Sequence, residues 1–92
     1  MTPKQRLVTE AVLAAVFQER QAQDAKFGPV DVDPADKHKM VTVLGEEFGE
    51  MCAALLKQKD TDPDDPRYEL VQIAAVAVKM IEMGDAKGWW QT

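Results

Sequence analysis

The chain has 92 residues and a net charge of −5, which bounds it to one domain, 1–92, whose own core is marginal in size. That acidic balance argues against a protein whose main task is to hold a nucleic-acid backbone, and no apolar run approaches the roughly 18 residues a membrane span requires. The one cysteine, Cys52, rules out an internal disulfide and fits a reducing compartment. With no apolar stretch behind the opening Met-Thr-Pro-Lys-Gln-Arg, a cytoplasmic location is the expectation.

Thr2-Pro3 opens the first predicted helix. Thr2 is a capping residue, Pro3 suits the first helical position, and Gln5 completes a capping box. The helix is predicted over about residues 4–25, with Val8, Ala11, Val12, Ala15 and Val16 on one apolar face at helical spacing. Glu19 and Gln23 extend that face, either as a solvated end or as the wall of a site. Residues 26–33, with Gly28-Pro29, read as a loop. It is either a plain connection or a cover for a ligand.

Asp33-Pro34 predicts the start of a second helix over about 34–59. Met40, Leu44, Phe48, Met51 and Leu55 form its apolar stripe. At about 100° per residue, Glu47 falls inside the apolar sector, Glu50 at its edge and Glu46 towards solvent. A buried, ionised carboxylate costs several kcal/mol unless it is paired, neutralised or metal-bound. Gly49 within this helix costs up to ~1 kcal/mol relative to Ala, which suggests close approach of another helix or of a ligand.

Residues 57–66 read as a polar, solvated turn. Asp60, Asp62, Asp64 and Asp65 resemble a calcium loop only superficially, lacking its glycine and its twelfth-position glutamate. Asp65-Pro66 then caps a third helix, predicted over about 66–84 and ended by Gly84-Asp85. This helix is apolar nearly all round and is therefore expected at the centre of a bundle or at a subunit interface. Glu69 lies among Ile73, Val76 and Met80 on its most apolar arc. Gln72 and Lys79 share one edge, where Lys79 is either a phosphate contact or a snorkelling surface lysine. Trp89-Trp90 in the tail are expected to pack on a neighbouring helix or subunit rather than on a base. The predicted fold is all-α: an antiparallel bundle of three long helices plus a short C-terminal helix or tail. A chain with so few helices is expected to form a homodimer or homotetramer.

Glu47 and Glu50 are three residues apart on one helix, and Glu69 and Gln72 repeat that spacing on the next. Two facing pairs of oxygen ligands suit a hard divalent ion such as Mg2+. The arrangement Glu46-Glu47-x-x-Glu50 followed by Glu69-x-x-Gln72, with Phe17-x-Glu19-Arg20-x-x-Gln23-Asp24-x-x-Phe27-Gly28 upstream, resembles the MazG-like branch of the all-α nucleoside triphosphate pyrophosphohydrolases. The resemblance covers most of the chain. It implies hydrolysis of an NTP or dNTP to the monophosphate and pyrophosphate, with Glu47, Glu50, Glu69 and Gln72 as Mg2+ ligands and Mn2+ as a substitute. Gln72 stands where the family usually has Asp, which implies weaker metal binding.

Metal-assisted phosphoryl chemistry requires a base for the attacking water, for which Glu46 and Glu50 are the candidates. The same reading puts Lys79 on the leaving group, and Glu19, Arg20 and Gln23 on the nucleoside. The competing reading is a helical nucleotide-binding or protein-interaction module, with Glu47 and Glu69 paired to Arg20 or a lysine. A DNA-binding regulator is disfavoured by the lack of a basic recognition helix.

Overall fold

The structure is a computed structural model and describes residues 1–57 and 65–91. The predicted turn with Asp60, Asp62 and Asp64 lies outside the described residues. Three helices make up the fold: α1 Pro3–Phe27, α2 Lys37–Lys57 and α3 Pro66–Lys87. No strand occurs among the described residues, so the architecture is all-α. None of these helices is long and apolar enough to cross a membrane.

The caps explain where the helices begin. Thr2 Oγ1 accepts from the Gln5 amide at 3.1 Å and Gln5 Oε1 accepts from the Thr2 amide at 2.9 Å, the reciprocal box the sequence predicts. Asp65 caps α3 by accepting from the Arg67 amide at 3.0 Å. The predicted start of α2 is corrected. Asp36, accepting from the Lys39 amide at 2.8 Å, does the work expected of Asp33. Asp33 instead closes a short turn onto the Ala35 amide at 2.9 Å and uses its other oxygen elsewhere.

The end of α3 is corrected too. The helix continues through Gly84 to Lys87 and stops at Gly88, which adopts the left-handed conformation with φ 72°, the usual role of a glycine just past a helix. Gly84 is small for a different reason. The Trp90 indole lies where a side chain on Gly84 would begin. Trp89 packs beside Met40, Val76 and Met83, and the two indoles meet edge to face at 6.1 Å. The tail therefore folds back on its own helix.

α3 is the central element. It packs on α1 through Val16, Val71 and Ala75, and on α2 through Met40, Val76 and Met83. Among the described residues α1 and α2 do not pack on each other. The three helices thus form one layer with a groove on one side of α3.

Two predicted apolar faces are only partly covered. On α1, Val16 is buried and Ala15 half-buried in the core shared with α3, but Val8 and Val12 are exposed. On α2, Met40 and Leu44 pack against α3 and Met51 is half-buried, whereas Phe48 and Leu55 remain 55% and 54% exposed. The expectation of close packing at Gly49 also fails: nothing lies within 4 Å of where its Cβ would sit.

Candidate metal and ligand cleft

α2 and α3 pack side by side, and this brings the two acid-bearing turns together. Glu47 and Glu50 are one helical turn apart on α2, and Glu69 is the first-turn acid of α3. One carboxylate oxygen from each of Glu47, Glu50 and Glu69 falls within 4.8 Å of the others. Glu47 and Glu69 are half-buried and Glu50 is exposed. Burial pushes the Glu47 carboxyl above its ordinary value of 4.5, and the charges of Glu50, Glu69, Glu19 and Glu46 push it the same way.

Gln72 completes the group. In the amide orientation that satisfies both ends, its nitrogen donates to Glu69 Oε2 at 3.1 Å and to Glu47 Oε2 at 3.2 Å, and its oxygen accepts from the Tyr68 hydroxyl at 3.1 Å. Rotating the amide by half a turn presents the carbonyl oxygen to the same two carboxylates. One side chain is thereby able to bridge the acids as a donor or to join them as a fourth oxygen ligand.

The donor set fits a hard cation: it is all oxygen, three carboxylates and an amide. Oxygens on opposite sides of a bound Mg2+ stand about 4.2 Å apart, given metal–oxygen distances of ~2.1 Å. Only one of the three pairs can be opposite, and adjacent oxygens stand about 3.0 Å apart, so a cluster within 4.8 Å draws in by up to about 2 Å to share one ion.

The acids open onto a cavity of about 350 Å³ between α1 and α2, floored by α3. Glu47 and Gln72 line one part of it, with Tyr68 beside them. Glu19, Gln23, Lys26 and Phe27 come from α1, and Lys79 from α3. Five of the predicted site residues therefore share one cleft: Glu19, Gln23, Glu47, Gln72 and Lys79. Glu50 and Glu69 join them through the acid cluster. Glu46 is exposed; it adds to the charge around Glu47 without lining the cavity.

Two predicted cationic contacts have other engagements. Arg20 is buried and faces away from the cleft, into a depression with Leu13, Phe17, Val78 and Glu82. Its Nε and Nη2 donate to the two oxygens of Glu82 at 2.9 and 2.8 Å. Its Nη2 also lies 3.0 Å from Asp24 Oδ1, close enough to attract but out of line for a hydrogen bond, so that oxygen is left without a hydrogen-bond partner. Arg20 touches the cleft only through Gln23, whose Oε1 accepts from its Nη1 at 3.2 Å. It is a positioning residue for that wall rather than a direct ligand contact.

Lys79 does line the cleft, but its Nζ donates to Asp33 Oδ2 at 2.7 Å. Both side chains of that pair are largely buried. The hydrogen bond from Lys79, followed by that from the Ala35 amide, holds the Asp33 carboxyl below its ordinary value of 3.8. Lys79 Nζ also stands 5.0 Å from the centre of the Phe27 ring, with Lys26 Nζ at 5.1 Å from the same ring.

Tyr68, Lys26, Asp33 and Glu82 were not singled out as site residues by spacing. Tyr68 stands four residues before Gln72, the separation that places two side chains together on a helix, and that signal would have found it. Asp33 reaches Lys79 across 46 residues of sequence, and no local pattern announces such a contact. Comparison with models of protein families, with curated proteins and with solved structures returned no match.

Proposed function

We propose that this chain is a MazG-like, Mg2+-dependent hydrolase that converts a nucleoside triphosphate (NTP or dNTP) to its monophosphate and pyrophosphate, with Mn2+ as a substitute metal. The observation that supports this reading is the convergence of Glu47, Glu50 and Glu69 at the edge of a cleft of ligand size. Like charges held that close oppose one another unless a cation or protons intervene, and the rise in the Glu47 carboxyl's affinity for a proton, due first to burial, also reflects that opposition.

In this reading Glu47, Glu50, Glu69 and the Gln72 carbonyl hold the cation. When bound, the cation neutralises phosphate charge and acidifies a water. Glu50, the exposed member of the cluster, accepts the proton of the attacking water. The water's oxygen bonds to the α-phosphorus while the α–β bridging bond breaks and pyrophosphate leaves. Lys79, already fixed by Asp33, and the exposed Lys26 supply positive charge along the cleft. Glu19 and Gln23 face the nucleoside, with Gln23 held by Arg20.

A second reading is a nucleotide-binding module without turnover. The hydrogen bonds from Gln72 to two carboxylates favour it, since they relieve part of the repulsion without a metal. One experiment separates the two. The protein is incubated with a panel of NTPs and dNTPs plus Mg2+ or Mn2+, and monophosphate and pyrophosphate are measured. Hydrolysis that falls at least a hundredfold in Glu47→Gln supports the enzyme. Nucleotide binding without either product supports the module.

A further inference from the structure

Gln72 stands between two unlike sets of neighbours. One end of its amide lies 3.1 Å from Glu69 Oε2 and 3.2 Å from Glu47 Oε2, and the other end lies 3.1 Å from the Tyr68 hydroxyl. Ionised carboxylates only accept hydrogen bonds. An amide donates at one end and accepts at the other, and a phenol does either. The group therefore has two self-consistent arrangements. In the first, the amide nitrogen donates to the acids and the Tyr68 hydroxyl donates to the amide oxygen. In the second, the amide oxygen faces the acids, which suits a shared cation, and the amide nitrogen donates to the Tyr68 oxygen. The phenol proton is then released from Gln72 and needs another acceptor.

The cleft offers a place for that acceptor. Tyr68 lines it together with Lys26 and Lys79, and Tyr68 is half exposed, so a ligand in the cleft can meet it. The two lysines favour an anionic ligand there. In the first arrangement the phenol has already spent its proton on Gln72 and offers an anion only lone pairs. In the second it offers the anion an O–H donor.

We propose that Gln72 and Tyr68 form a relay between the acid cluster and the cleft. With a cation held by Glu47, Glu50 and Glu69, the Gln72 amide turns over and Tyr68 redirects its hydroxyl proton to an anionic oxygen of the ligand. No covalent bond changes; only hydrogen-bond partners are exchanged. Tyr68 is a ligand contact, and Gln72, acting through it, is a positioning residue. The inference rests on the proposed metal-binding reading and adds a coupling to it. The cation prepares the cleft for the anion, and by reciprocity the anion favours the amide orientation that receives the cation. A carboxylate at position 72 lacks this property, because it accepts from Tyr68 whether or not a cation is present.

Tyr68 is the one tyrosine of the chain, so the tyrosine Raman doublet reports this hydroxyl alone; its intensity ratio rises as a phenol passes from donor to acceptor. Mg2+ alone is titrated into the metal-free chain, with the doublet and the heat of binding followed in parallel. In the wild type the ratio is expected to rise and to saturate together with the heat. In Gln72→Glu the ion still binds and the ratio is expected to stay at its metal-free value. In excess Mg2+, Tyr68→Phe is expected to bind uncleavable α,β-methylene nucleoside triphosphates at least tenfold more weakly than the wild type, the scale of one hydrogen bond to a charged group. Saturable Mg2+ binding with an unmoved wild-type doublet overturns the relay alone. So does a doublet that moves equally in Gln72→Glu, or a Tyr68→Phe variant that binds the analogues as tightly as the wild type. No Mg2+ binding, or no analogue binding by the wild type, overturns the metal-dependent reading and the relay with it.

Discussion

Glu47 is driven towards its neutral form by burial and by its acidic neighbours, and the two causes differ in what relieves them. A cation relieves the repulsion of Glu50, Glu69, Glu19 and Glu46; only exposure relieves the burial. The sign with pH follows. A carboxyl with a raised native pKa supports the fold fully below its ordinary value of 4.5 and withdraws that support as pH rises through the raised native value. Near neutrality, without divalent ions, Glu47→Gln is therefore expected to melt a few degrees above the wild type, as thermal denaturation in a chelator will record. With Mg2+ present the order should reverse, since only the wild type gains by binding the ion. At Gln72 the expected change runs the other way. Gln72→Asp adds a charged ligand and should tighten Mn2+ binding about tenfold, on the scale of single-ligand and supporting-residue effects, measured by calorimetric titration. Weaker binding in that variant would show that the amide, rather than a fourth charge, is what the site requires.

At the scale of elements, two contacts hold the helices and the tail in place, and each has a distinct test. The Trp90 indole occupies the space beside Gly84, so Gly84→Ala forces the tail off α3. Overpacking of this kind costs about 1–3 kcal/mol, readable as a lower midpoint in urea together with a change in tryptophan fluorescence. The connection from α1 to α2 is pinned to α3 by Asp33 and Lys79, with Lys87 donating to the Asp33 and Ala35 carbonyls. Removing one partner of a largely buried pair costs about 3 kcal/mol, and Asp33→Ala should lose that much in chemical denaturation. Asp33 and Glu82 both sit below their ordinary carboxyl values, through hydrogen bonds from Lys79 and Arg20 respectively. Their contributions are present above 3.8 and 4.5 and are lost as pH falls through the depressed native values. Asp33→Asn should flatten the acid side of the stability profile.

These elements also show what was legible in advance. Local rules were enough for the caps at Thr2 and Asp65, for three helices, and for the inward aim of Glu47. They misplaced the start of α2 because Asp33 and Asp36 are both competent caps, and the choice was made by Lys79, far along the chain. They misread Gly84 because a glycine that makes room for a ring has the same local signature as one that ends a helix. They merged two stripes of α2 into one because adjacent seams at the same repeat are told apart only by what packs on them. Arg20 was read as facing the ligand because Glu82, which claims it, lies 62 residues away.

Taken whole, the molecule is a single helical layer with different chemistry on its two sides. On one side, a cleft between α1 and α2 joins an acidic cluster to lysines supported by Asp33 and Phe27. On the other, apolar residues of α2 and α3 remain uncovered. In the proposed function, a divalent ion held between the two helices offsets the mutual repulsion of the acids that meet at the α2–α3 contact. Calorimetric titration of Mn2+ into the metal-free protein tests that account most directly. One ion per acid cluster is the predicted result, with binding lost in Glu69→Ala while helical content is preserved. Absence of saturable binding, or binding of equal strength in Glu69→Ala, would contradict it.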